Sequence, residues 1–139
     1  VNVRYSRNIN FNGNFGWRSR EGEGSNTYSY MGGVNFSNFL IKSMRLSTRF
    51  AGFTNYYTSG YNPSVSVTKS FRYGHYLGVS AGSYIYTLKN NSTNNINNWL
   101  RLTGQLELPI RMYLSGNYEY DWGDDLKGHR VLAELGYRY

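Results

Sequence analysis

Apolar and polar residues alternate along most of this chain with a period of two, the repeat of an extended strand whose side chains point to opposite faces. INFNGNFGWR (9–18) sets Ile9, Phe11, Phe15 and Trp17 against asparagines, and TYSYMGGVNFS (27–37) carries Tyr28, Tyr30, Val34 and Phe36 in the same way. MRLSTRFAGFTNYY (44–57) places Met44, Leu46, Phe50 and Tyr56 opposite Arg45, Ser47 and Arg49, and PSVSVTKSF (63–71) places Val65 and Val67 opposite serines. YLGVSAGSYIYTL (76–88) is less regular, because Tyr84 and Tyr86 share its second face with Gly78, Ser80 and Gly82. WLRLTGQLEL (99–108), RMYLSGNYEYDW (111–122) and the run from Arg130 complete eight expected strands. No segment has helical spacing, and the two prolines, Pro63 and Pro109, fall at strand ends, where a missing N–H is tolerated.

The connections alternate in character. EGEGSNT, TSGYN, KNNSTNNINN and WGDDLKGH read as long polar loops, whereas NFLIKS, RYGH and LPI are tighter. An antiparallel meander of eight strands with long loops at one end and short turns at the other is the expectation, forming one domain over residues 1–139. Residues 1–7 read either as a stub below the first strand or as the end of a preceding strand, since VNVRYSRN resembles the segments around the short turns.

Composition narrows the class. The chain has 139 residues, 40% of them hydrophobic, with 15 tyrosines and 16 glycines. No run approaches the roughly 18 consecutive apolar residues of a transmembrane helix. The absence of cysteine excludes disulfides and thiolate metal sites. A net charge of +7 raises nucleic acid as a partner, but the basic residues recur singly at alternate strand positions, as at Arg45, Arg49, Arg101, Arg111, Arg130 and Arg138. A phosphate-binding surface gathers its cations instead, so nucleic acid is not expected.

Alternation does not say which face meets water. The apolar stripes end in Trp17, Tyr28, Phe36, Tyr56, Phe71, Tyr120, Trp122, Tyr137 and Tyr139, the placement of aromatic girdles at two membrane–water interfaces. The polar face carries Arg101, Arg111, Arg130 and Arg138 against Glu107, Glu119, Asp121 and Glu134, which reads as an ion-paired lumen with Glu107 beside Arg111 and Asp121 beside Arg130. Lys69 is the exception on the apolar face, near a short turn where it can snorkel. These features predict an all-β, up-and-down transmembrane β-barrel of eight strands with a lipid-facing exterior. A soluble ligand-binding barrel, apolar inside, is the alternative.

VLAELGYRY (131–139) resembles the C-terminal signature of Gram-negative outer-membrane β-barrel proteins, with Val131, Ala133, Leu135, Tyr137 and Tyr139 in its alternate positions. The resemblance extends to small barrels such as the OmpA membrane domain and OmpX-type surface proteins, or to the C-terminal part of a larger barrel. It implies an outer-membrane location with periplasmic termini, partners in membrane lipid and lipopolysaccharide, and recognition by the barrel-assembly machinery. A structural or surface-interaction role with a plugged lumen is the expected function; a channel or conduit wall is the alternative.

The chain is poor in catalytic constellations. Asp124, Asp125 and His129 share one loop and His75 lies in a short turn, but solvated loops of this composition need carry no chemistry. Two adjacent aspartates fall short of the 6–8 oxygen ligands of a calcium site. EGEGSN lacks the Lys-Ser pair of a phosphate loop. Arg18, Arg20 and Lys127 are the basic rim residues expected to meet lipopolysaccharide phosphates. The sequence predicts no enzyme activity, no cofactor and no metal.

Overall fold

The computed structural model describes residues 1–19, 26–90, 93–109 and 111–137. Nine strands follow one another in a single antiparallel sheet: β1 (Asn2–Arg4), β2 (Ile9–Ser19), β3 (Asn26–Ser37), β4 (Met44–Thr54), β5 (Thr58–Ser70), β6 (Tyr76–Leu88), β7 (Thr93–Leu108), β8 (Met112–Gly123) and β9 (Lys127–Tyr137). Their spatial order is their chain order, so the sheet is a meander with no crossover.

The period-two segments all form strands, but the architecture corrects the expected barrel. Closure requires a ladder between the first and last strands; among the described residues β1 pairs only with β2, and β9 only with β8. The sheet is open and encloses no lumen. Without enclosure, the reading as an integral outer-membrane barrel falls, as do the plugged-lumen, conduit-wall and soluble ligand-binding alternatives. The inferences drawn from the barrel fall with it: periplasmic termini, membrane lipid and lipopolysaccharide as partners, and the assembly machinery. No described helix is long and apolar enough to cross a membrane.

The strand count differs because residues 2–4 pair with Asn10–Asn12 through a tight turn. The Ser6 hydroxyl accepts from the backbone N–H groups of Asn8 (3.2 Å) and Ile9 (3.1 Å), closing a local turn that SRN chemistry favours. The alternation of long and short loops also fails. TSGYN lies inside β5, and NNINN inside β7, leaving a three-residue connection at 55–57 and four residues at 89–92. Asparagine favours turns, yet here it sits inside paired strands, Asn62, Asn95 and Asn97 on the polar face and Asn94 and Asn98 on the other, where cross-strand packing overrides its weak β-propensity. Asn55 caps its turn instead, its side-chain oxygen accepting from Tyr57 N–H (2.9 Å) and Thr58 N–H (2.7 Å). Non-glycine residues take positive φ in several short turns: Asn38, Leu40, Ser43, Tyr73 and Arg111. Tyr73 is followed by Gly74 at φ 81, which brings the chain back into β6.

Register fixes two chemically distinct faces. Rows such as Phe11–Val34–Thr48–Val65–Ala81–Leu100–Tyr120 cross β2 to β8 on the apolar face. Asn12–Gly33–Arg49–Ser64–Gly82–Trp99–Asp121 crosses the same strands on the polar face. Every extensive contact is between sheet neighbours, apart from a small one between β7 and the turn at Arg72–Gly74, so the protein is a single layer. The most buried side chains, Trp99, Asn97 and Glu119, sit on the polar face, while Phe15, Trp17, Leu77, Leu106, Val131 and Leu135 stand exposed on the other.

Candidate functional site

The apolar face runs across β2 to β9 and carries many exposed side chains. Two neighbouring rows build its centre. One is Val34–Thr48–Val65–Ala81, and the other is Gly32–Phe50–Pro63–Ser83–Asn98–Trp122. Small side chains at Gly32, Thr48, Ala81 and Ser83 leave a shallow depression of about 730 Å³ between larger neighbours. A second depression of about 450 Å³ lies over β6 to β9, among Leu77, Leu102, Leu106, Leu114, Val131 and Ala133. Among the described strand residues this face carries two lysines, Lys69 and Lys127, and both lie at strand ends. Lys69 Nζ donates to the Lys42 carbonyl and stands 6.0 Å from the Phe71 ring centroid.

Six of the nine interface aromatics of the sequence reading lie on strands of this face. Trp17 opposes Tyr28, Phe36 opposes Ile9, and Tyr137 opposes Met112. Tyr120 stacks on Trp122 (5.4 Å between centroids) and on His129 (4.6 Å). Tyr56 lies in the 55–57 turn, edge-on to Tyr57, and Phe71 follows β5. Tyr139 lies outside the described residues, as does Arg138.

On the polar face, the charges that reading grouped together separate into distinct clusters. Glu119, 6% exposed, holds two arginines: Arg101 Nε donates to Oε2 at 2.5 Å, and Arg130 reaches Oε1 at 3.3 Å. The Arg101 guanidinium also lies 5.3 Å from the Trp99 ring centroid, within cation–π range. Arg130 therefore meets Glu119, two residues along from Asp121, which opposes Gly128. Arg111 is in the turn before β8, with φ 59, while Glu107 opposes Tyr113, so the expected pair of Glu107 and Arg111 does not form across the ladder. Glu107 accepts from Gln105 Nε2 (2.6 Å), and its backbone N–H donates to His75 Nδ1 (2.9 Å). Glu134 accepts from the Tyr113 hydroxyl at 2.6 Å.

A third cluster was missed in the sequence. The Asp125 carboxylate accepts from the Tyr86 hydroxyl, from Asn95 Nδ2 (2.8 Å) and from Asn97 Nδ2 (3.4 Å). It borders a recess of about 330 Å³ lined by Phe53, Tyr61, Tyr84 and Leu126. Asn95 and Asn97 share parity with Trp99, Arg101 and Thr103, a signal that β7 begins before Trp99. Asp124 is engaged separately, by the Ile96 N–H at 2.9 Å. His129 faces the apolar side and shares a hydrogen bond with Tyr118 (2.7 Å). The loop's aspartates and histidine are thus not brought together as acid–base partners. Among the described residues no three His, Asp or Glu side chains converge as a metal site would require.

Of the basic rim residues, Arg18 lies on the polar face of β2, Lys127 on the apolar face of β9, and Arg20 outside the described residues. A closed barrel would bring β2 and β9 near each other; the open sheet holds them at opposite sides, so they form no common phosphate site. Comparison with protein families, with curated proteins and with solved structures finds no match.

Proposed function

We propose that this protein is a non-catalytic contact module that docks its apolar face against an apolar layer of another polypeptide. One observation carries the reading: a continuous apolar face spans the sheet and stands exposed, with its lysines at strand ends. The eight long strands β2 to β9, spaced at about 4.8 Å and each taken as about eleven residues at about 3.3 Å per residue, give a face of roughly 1,400 Å². That exceeds the roughly 800 Å² per partner of a stable interface, and exposed apolar patches of more than a few hundred Å² mark interaction surfaces. A covering layer about 10 Å away would complete the two-layer packing that single sheets otherwise lack.

Photocrosslinking tests the orientation. Benzoylphenylalanine at position 102, central on the apolar face, is expected to give one discrete polypeptide adduct mapping to apolar side chains. The same group at position 101, on the opposite face, is expected to give none. Equal yields from both positions, adducts to lipid, or no adduct from position 102 would overturn the reading.

A further inference from the structure

The edge strand β9 has a second property that the apolar face does not explain. Its sequence, KGHRVLAELGY (127–137), is nearly symmetric in chemistry about Leu132. Gly128 and Gly136 lie four residues to either side, Arg130 and Glu134 two residues, and Val131 and Ala133 one. Leu132 is itself an anomaly. It opposes Asn117 on the polar face, among serine, asparagine and charged neighbours, and remains 59% exposed.

From this we infer that β9 pairs antiparallel with β9 of a second copy of the chain, about a two-fold axis perpendicular to the sheet at Leu132. An antiparallel ladder puts directly opposed residues on the same face. In this register Leu132 meets its own counterpart. Arg130 opposes Glu134 of the second copy, and Glu134 opposes its Arg130. Val131 packs against Ala133 of the second copy on the apolar face, and the paired glycines at the ends leave room for both backbones. Polar face joins polar face and apolar face joins apolar face, extending one sheet into eighteen strands.

The structure supplies what this pairing needs. β9 has one ladder partner among the described residues, β8, so over residues 127–136 the backbone groups of alternate residues point outward. It contains no proline to interrupt a new ladder. Arg130 binds Glu119 on one side yet leaves its side chain 65% exposed, available toward the edge. Charges on an edge strand ordinarily block association. Here the two carry opposite signs at symmetric positions, so in self-pairing they attract. One shift of register would place Arg130 and Glu134 opposite apolar residues and invert the faces, which fixes the alignment.

Charge exchange and crosslinking test the proposal. In sedimentation equilibrium, Arg130→Glu or Glu134→Arg alone opposes like charges at both symmetric positions and is expected to weaken self-association about tenfold. The double exchange restores opposite signs and is expected to return the dissociation constant to within about threefold of the parent. The chain has no cysteine, so Leu132→Cys places one thiol per copy at the axis, within the Cα separation of about 4.4–6.8 Å a disulfide needs. Under mild oxidation it is expected to give a covalent dimer, while Leu102→Cys on the apolar face gives none. Since Leu132→Cys touches neither charge, it holds even where Arg130→Glu unsettles Glu119. A chain that stays monomeric, single exchanges without effect, or a double exchange that fails to restore association would overturn the inference. So would crosslinking at position 102 but not 132, an outcome that removes edge pairing while leaving the apolar-face reading intact.

Discussion

Replacing Glu119 by alanine tests whether the polar face is held together by the one well-buried carboxylate among the described residues. Glu119 is 6% exposed and receives Arg101 at 2.5 Å and Arg130 at 3.3 Å. A hydrogen bond to a charged group contributes about 1.5–3 kcal/mol, and an exposed pair about 0.2–1 kcal/mol. The Arg101 side chain is 40% exposed, so part of its charge returns to water when the carboxylate is lost. The penalty should then fall below the 3–5 kcal/mol of a fully buried broken pair, at about 2–3 kcal/mol. With a urea dependence of about 2 kcal/mol per molar, the unfolding midpoint should drop by about 1–1.5 M. Glu119→Gln, which keeps an acceptor but no charge, should lose about half as much. Arg130→Ala should cost less than about 1 kcal/mol, because that side chain is 65% exposed. A double-mutant cycle should couple Glu119 to Arg101 more strongly than to Arg130. A midpoint for Glu119→Ala within about 0.3 M of the parent, or an Arg130→Ala loss equal to it, would refute the reasoning.

Four further expectations rest on local geometry. Gly52→Ala should destabilise by about 1–2 kcal/mol, because its new Cβ would lie 2.2–2.6 Å from Tyr30 ring atoms and displace a ring that stacks on Phe50. Gly128→Ala meets nothing within 4 Å and should stay within about 0.5 kcal/mol in the same denaturation assay. Leu40→Gly should raise stability by about 0.5 kcal/mol, since Leu40 is exposed and holds φ 62, where a side chain costs about 1–2 kcal/mol and glycine does not. Asp125→Asn removes the charge that Tyr86, Asn95 and Asn97 all approach, and should cost about 1 kcal/mol and speed amide exchange over residues 95–97; unchanged exchange there would show the cluster to be incidental.

The strands were legible because a buried or exposed face needs only period two, and that period survives without knowledge of the partner. Boundaries were less legible where polar residues lay in strands. Thr58–Asn62 and Asn94–Asn98 carry turn-forming residue types, yet the ladders β5–β6 and β6–β7 run through both. The expected pairing of Asp121 with Arg130 is off by two residues, because Trp122 opposes Lys127 and the hairpin centres between 124 and 125. That shift moves Arg130 from Asp121 to Glu119, because pairs in an antiparallel ladder sum to a constant. The cluster at Asp125 was hidden for a similar reason: Tyr86, Asn95 and Asp125 come from three segments and meet through register alone.

What alternation does not encode is how a sheet ends. Closure, face packing and edge pairing all satisfy the same two-faced strands, and the choice depends on whether the outermost ladders find partners. Over residues 127–136, β9 presents alternate backbone donors and acceptors at the sheet edge. The edge of β9, which has no second ladder among the described residues, and the uncovered apolar face are separate demands on the same sheet, since a ladder extends the layer without covering it. The face calls for apolar area; the edge calls for a strand of matching length, face and charge. In β9 the matching strand is β9 itself: Arg130 and Glu134 stand at equal distances from Leu132, so only the two-fold register about Leu132 satisfies both charges at once.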